Sequence, residues 1–370
     1  MCGICGIVDL SGPGPSEPDL LALRDDLAHR GPDDAGLHRE PGVGLGACRL
    51  AIQDLSARGH MPMPNEDETL WITYNGEVYN FETLRAQLEE RGHRFRSGSD
   101  TEVVLHAYQE WGDACPERLS GMFAFAVWDR KRRRIFAARD RLGVKPFFYL
   151  QRGAQLVFAS EVHALYRFAP PDPENLDPVA LDFFLSQGFP PPDRSFVQGL
   201  AALPPAHSLV FDEAGLRLSR YWDLRFRPAR NLSREDALEE LDRVLRDAVE
   251  RRLRSDVPLG CFLSGGIDSG LVTAMTARAS AESVSSFSLG FAGDPRDEDE
   301  RPLARLVAER YGTRHREIEV RPDHRALLTS ALWHVGEPFA DVGLLPMVEI
   351  SRAAREHVVV ALSGDGGDES

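Results

Sequence analysis

The chain opens Met1-Cys2-Gly3-Ile4-Cys5-Gly6-Ile7, and how this stretch is read decides what the first half of the protein is. Removal of Met1 would leave Cys2 carrying both a thiol and a free α-amino group. An α-amine titrates near ~8, so close to neutrality part of it is a free base. That base can take the thiol proton and leave the more nucleophilic thiolate. The plain alternative is a start codon followed by a small buried cysteine. Cys2 and Cys5 also have C-x-x-C spacing. However, no second such pair or His pair completes a tetrahedral zinc site, and no helical pattern follows as a thioredoxin-like motif requires. The residues that surround Cys2 must decide.

A length of 370 residues favours about two domains, and 42% hydrophobic with 27% charged residues is ordinary for a globular chain. The formal net charge of -15 argues against a nucleic-acid binder. The basic run Arg130 to Arg134 lies between two apolar strands and reads as a turn. No apolar run reaches membrane-spanning length and no signal segment opens the chain, so a cytoplasmic protein without a membrane partner is expected. The other cysteines, Cys48, Cys115 and Cys261, are scattered and do not form a disulfide framework with the first two.

Outward from the N-terminus the pattern is rich in short strands: Cys5 to Leu10, Val43 to Ile52, Leu70 to Tyr74, Met122 to Trp128, Arg134 to Ala138 and Gln155 to Ser160. Two helices interrupt them, Phe81 to Arg91 and Thr101 to Trp111, the second announced by a capping box at Ser99-Asp100-Thr101-Glu102. This grouping predicts packed layers. A proline-thick connector follows, between Pro170 and Pro205. From Ser233 helices and short apolar strands alternate, the mark of a parallel sheet covered on both faces. The expected division is 1–215 and 216–370.

Four pieces of the first half could surround Cys2. Arg49 could clamp a carboxylate with its planar guanidinium. Asn75-Gly76 after strand Leu70 to Tyr74 reads as a tight turn or as two oxyanion donors, the Asn75 amide and the Gly76 N–H. Asp100 reads as a first-turn acid or as an ammonium receptor. In order, Met1 to Ile7, His29-Arg30-Gly31-Pro32-Asp33, Arg49-Leu50, Tyr74-Asn75-Gly76-Glu77, Gly98 to Glu102 and Arg139 to Pro146 resemble the class II glutamine amidotransferases. The resemblance covers nearly all of the first 215 residues and implies an α+β N-terminal nucleophile hydrolase sandwich, αββα. It implies that Cys2 attacks the glutamine side-chain amide and that Asn75 and Gly76 hold the oxyanion. Arg49 would grip the α-carboxylate and Glu77 with Asp100 the α-ammonium. Leu50, Ala51, Ile52 and Gln53 would line the pocket.

In the second half, strand Gly260 to Leu263 runs into Ser264-Gly265-Gly266-Ile267-Asp268-Ser269 and a helix, a glycine-rich turn suited to phosphate. No G-K-[ST] follows, so it is not a Walker loop. It resembles the pyrophosphate loop of ATP pyrophosphatases, with Gly270 where that family has a second serine. A further short strand, Val358 to Leu362, ends in Ser363-Gly364-Asp365-Gly366-Gly367-Asp368-Glu369. Together with Ser255 to Gly260 and Glu337-Pro338-Phe339-Ala340-Asp341, these segments resemble glutamine-hydrolysing asparagine synthetase. The resemblance implies an α/β parallel-sheet, adenine-nucleotide-hydrolase-like domain, incomplete at its C-terminus. Phe262, Leu289, Ser363 and Gly364 would border ATP along with Ser264, Gly265, Gly266, Asp268 and Ser269. Asp365, where the family has Glu, is tied to forming a β-aspartyl adenylate, and Asp268 with Asp368 would hold Mg²⁺. Glutamine, aspartate and ATP are the implied small-molecule partners, and a homodimer is left open. The chain stops directly after the acidic loop, which reads as a C-terminal truncation. The alternatives are a glutaminase-only fragment and an amidotransferase acting on another carboxylate.

Overall fold

Alternating apolar residues along the strands of the first half give each strand two buried faces, and the fold uses both. The computed structural model describes residues 1–370 apart from 13, 227–231, 292–298, 321–323 and 368–370. It divides into two compact units, Met1–Arg225 with Val335–Ala340, and Phe226–His334 with Asp341–Ser370. The first unit contains β1 (Gly3–Asp9), β2 (Asp34–Glu40), β3 (Val43–Arg49), β4 (Met63–Pro64), β5 (Leu70–Val78), β6 (Gly121–Asp129) and β7 (Arg134–Arg139). It continues with β8 (Phe148–Arg152), β9 (Gln155–Ala159), β10 (Leu200–Ala202), β11 (His207–Asp212) and β12 (Gly215–Arg220). Two six-stranded antiparallel sheets result, ordered β10-β8-β9-β1-β3-β2 and β12-β11-β7-β6-β5-β4.

Period-two alternation assigns the layers. Ala124, Ala126 and Trp128 of β6 pack with Ile4 and Val8 of β1 between the sheets. Phe123, Phe125 and Val127 of the same strand face outward, onto Leu84 and Leu88 of helix Phe81–Glu90 and Val104 and Tyr108 of helix Asp100–Trp111. On the other outer face, Cys5 and Ile7 of β1 meet Leu20 and Leu23 of helix Glu17–Asp25. The four layers are helix, sheet, sheet, helix, as the resemblance implied.

Three local expectations change. Asn75-Gly76 is not a turn. Both lie inside β5, paired with Ala124 and Phe123 of β6, and the ladder continues to Val78 opposite Gly121. Cross-strand pairing here overrides the turn preference of the dipeptide. The capping box is also only half present. Ser99 accepts from the Thr101 N–H at 3.1 Å, but Glu102 turns back to the Arg96 and Ser97 N–H groups at 2.8 and 2.7 Å. Within the proline-thick connector, Asp177 caps a helix over Pro178–Gln187 that ends at left-handed Gly188.

The second unit forms a parallel sheet, β15-β14-β13-β16, from β13 (Leu259–Phe262), β14 (Ser285–Phe291), β15 (Arg314–Val320) and β16 (Val360–Leu362). Leu263, just past β13, packs on Ala304 and Ala308 of helix Arg301–Tyr311, whereas Phe287 packs on Ala354 of helix Leu344–Arg355. The chain winds one way from β13 through β14 to β15, then returns to place β16 on β13's other side. The carboxyl ends of β13 and β16 therefore flank a topological switch point, where open α/β sheets take their ligands.

Candidate active site

Cys2 stands immediately before β1, its thiol against the Leu50 carbonyl oxygen, Sγ to O 3.7 Å. Burial pushes the thiol above its ordinary range, while the N-terminal ammonium and the Arg49 guanidinium pull it down. Arg30 holds the Cys2 carbonyl through Nε at 2.9 Å and anchors itself on Glu161 through Nη1 at 2.6 Å. His29 Nε2 lies 3.0 Å from the same Glu161 oxygen. Asp33, at the end of that motif, accepts the Ala51 N–H at 2.8 Å and so shapes the segment beside the thiol.

Thr73 of β5 donates its hydroxyl to the Gly46 carbonyl of β3 at 3.1 Å, so alternation turns Asn75 and Glu77 toward the first sheet and Cys2. The Asn75 amide nitrogen is buried and has no acceptor among the described residues. Gly76 has no room for a side chain, since a Cβ would lie 2.5 Å from the Met122 carbonyl oxygen and 2.8 Å from Phe123 Cα. Glu77 accepts from Gln53 Nε2 at 2.6 Å. Asp100 accepts from the Tyr74 hydroxyl at 2.5 Å and the Val78 N–H at 2.9 Å. Burial, and then Asp100, pushes the Glu77 carboxyl up to about 9, and burial raises Asp100 to about 6. Because Asp100 has the stronger donors, it holds the charge and Glu77 the proton.

Arg49 ends β3 with its guanidinium already in use. Nη2 donates to the Gln53 and Asp54 carbonyls at 3.0 and 2.6 Å, and Nη1 to Ser56 O at 3.3 Å. Nε–H and one Nη1 hydrogen are left for a ligand. The fit is tight: a Cβ on Gly59 would fall 2.0 Å from Nη2. Leu50, Ala51 and Ile52 are half-buried around it. One residue that sequence reasoning missed is Lys145, which is buried and donates to Met1 Sδ at 3.1 Å. Burial lowers its ammonium pKa, with Glu77 and Cys2 opposing. The quoted stretch Arg139 to Pro146 contained it. Asp140 aims it by accepting the Val144 and Lys145 N–H groups, both at 2.9 Å.

In the second unit the loop after β13 is tied by its own serines. The Ser264 and Ser269 hydroxyls lie 2.9 Å apart, the Ser264 N–H donates to Ser269 Oγ at 3.2 Å, and the Gly266 N–H donates to Ser264 Oγ at 3.3 Å. Gly265 has φ +100°, and Gly266 caps helix Ile267–Ala279. The loop after β16 lies directly over this turn. A Cβ on Gly364 would fall 2.6 Å from the Ser269 nitrogen, and one on Gly367 2.6 Å from Asp268 Cγ. Ser363 donates to Asp365 at 2.9 Å. Asp268, one of the two acids expected to hold Mg²⁺, lies beside this turn, within reach of Gly364 and Gly367. Asp368 lies outside the described residues. Phe262 packs against the Phe287 cluster, and Leu289 sits within β14 opposite Ile318.

A cysteine next to the N-terminus, a spare buried amide donor and a buried acid pair on a four-layer sandwich are the features of a glutamine amidotransferase class, and residues 1–222 match the family model described as glutamine amidotransferase domain. Residues 240–370 match the asparagine synthase model. The chain belongs to the glutamine-hydrolysing asparagine synthetase family. It is 36% identical over 393 residues to a putative asparagine synthetase 2 of Methanocaldococcus jannaschii, covering all of this chain and 75% of that protein. It is 37% and 34% identical to asparagine synthetases 3 and 1 of Bacillus subtilis, again over its whole length, and spans 62% and 58% of theirs.

Proposed function

We propose that the first unit hydrolyses glutamine and that the second uses ATP to activate aspartate, the ammonia released converting the β-aspartyl adenylate to asparagine. The observation that carries the first half is the buried Asn75 amide without an acceptor, one residue from Gly76 and turned toward Cys2. In this reading the Cys2 sulfur attacks the amide carbon after its proton passes to the freed α-amine. The carbonyl oxygen becomes an oxyanion that accepts from Asn75 Nδ2 and the Gly76 N–H. The C–N bond breaks as ammonia takes a proton, and water hydrolyses the thioester to glutamate. Glu77 surrenders its proton when the α-ammonium of glutamine enters between it and Asp100. Arg49 offers its remaining N–H groups to the α-carboxylate.

In the second unit, the serine hydroxyls and the glycine-loop N–H groups receive the departing pyrophosphate. Mg²⁺ on Asp268 would neutralise phosphate charge. The test is to follow glutamate, asparagine and pyrophosphate with glutamine and then with ammonium salt, for the native protein and Cys2→Ala. Loss of the glutamine-driven reaction alone supports the two-site reading. The chain spans 58% to 75% of these relatives. Glutaminase activity alone is the second reading, and glutamate release without pyrophosphate selects it.

A further inference from the structure

On the outer helical layer of the first unit, three segments converge on one point. Glu66 lies in the turn between β4 and β5, His93 in the loop after helix Phe81–Glu90, and His106 in the middle of helix Asp100–Trp111. One ligand atom from each lies within 4.8 Å of the others. His106 is 1% exposed, yet its Nε2 has no hydrogen-bond partner. Its Nδ1 sits 3.2 Å from Gln109 Oε1, an acceptor, which places the ring proton on Nδ1 and a lone pair on Nε2. That lone pair faces two carboxylate oxygens, Glu66 Oε1 at 3.9 Å and Glu102 Oε1 at 3.8 Å. With the imidazole in this neutral form, the three electron-rich atoms repel unless a cation lies among them. Two ligands each about 2.0–2.2 Å from one ion stand roughly 3–4 Å apart, and His106 Nε2 and Glu66 Oε1 are separated by 3.9 Å.

The surroundings agree. Glu110 Oε2 lies 3.2 Å from His93 Nε2, fixing that ring from behind and leaving Nδ1 as its lone pair. Carboxylates play this part behind metal-bound histidines. An open cavity lined by Glu66, His93 and Gln109 gives access from solvent. We propose that Glu66, His93 and His106 bind one divalent transition-metal ion of the zinc type, with solvent completing its coordination. Two imidazoles and a carboxylate suit such borderline ions better than Mg²⁺ or Ca²⁺. The ion clips the Glu66 turn and the loop before Ser97 to the helix whose first turn carries Asp100. The site stands apart from Cys2, and the inference does not rest on the proposed reaction.

The test uses the full chain, stripped with a chelator and dialysed against Zn²⁺, with bound metal counted and melting followed in parallel. Co²⁺ in place of Zn²⁺ reports ligand geometry by its visible spectrum. One ion per chain and a melting temperature raised by about 5 °C or more at saturation are expected. Both should be lost in Glu66→Gln, a change at an exposed position, and in His93→Gln, with affinity down at least ~10-fold. His106→Gln gives the same result if it folds, and the surface variant Glu66→Gln decides the matter if it does not. Failure of the native chain to take up micromolar Zn²⁺, or uptake unaltered in both Glu66→Gln and His93→Gln, would overturn the proposal.

Discussion

Glu77→Gln should make the unliganded protein more stable at neutral pH while impairing its use of glutamine. The substitution keeps the shape of the side chain and lets its carbonyl oxygen go on accepting from Gln53, 2.6 Å away in the native site. What it removes is a carboxyl that the fold prefers protonated, raised from 4.5 to about 9 by burial and by Asp100. A raised carboxylate pKa means that the folded state keeps a proton the unfolded chain releases. Stability therefore falls as pH climbs from 4.5 toward 9, by about 1.4 kcal/mol per unit for one proton. Over the interval from 4.5 to 7 this gives an upper figure of about 3 kcal/mol, and residual exposure of Glu77 trims it to about 1–3 kcal/mol. Thermal unfolding of both proteins across this pH range is the assay. The variant's advantage should be absent near pH 4.5 and grow to several degrees by pH 8, while KM for glutamine rises because the α-ammonium has lost a carboxylate. A variant equally or less stable at every pH would show that Glu77 is ionised in the resting fold and would refute the paired-acid receptor.

Asn75→Ala should lower kcat for glutamine hydrolysis about 10²–10³-fold with a small change in KM, because the amide acts only on the oxyanion; steady-state kinetics read this directly. Gly59→Ala places a methyl group 2.0 Å from Arg49 Nη2, so the guanidinium must shift and KM for glutamine should rise while the saturated rate changes less. Gly364→Ala puts a Cβ 2.6 Å from the Ser269 nitrogen; an ångström of loop displacement costs about 10²-fold in pyrophosphate release, with glutamine hydrolysis unchanged.

Both architectures were legible because each imposes its own period. The first half reads as strands with two helices, the second as alternating helix and strand, and the structure has a double antiparallel sheet followed by a parallel one. The strands that escaped notice include the edges: β2 carries Asp34, His38, Arg39 and Glu40, and β12 carries Arg217 and Arg220, because an edge exposed to water tolerates charge. Of the two readings of Asn75-Gly76, the tight turn fails because its local preference is overridden by partners nearly fifty residues later on β6. Lys145 beside Met1 and Glu161 beneath Arg30 carried no local signal, since each meets its partner across more than a hundred residues. The motifs located the site, whereas the proton balance of Glu77 and Asp100 emerged only from their burial together.

The central claim is that Cys2, once it is the first residue, carries the reaction. The direct measurement is the intact mass and N-terminal residue of the purified protein, before and after exposure to an electrophilic glutamine analogue, with glutamate release followed on the same samples. The account predicts a chain that lacks Met1, a single adduct on Cys2, loss of glutaminase activity in step with adduct formation, and neither adduct nor activity in Cys2→Ala. Full glutamine turnover by a chain that retains Met1, or by Cys2→Ala, would contradict it.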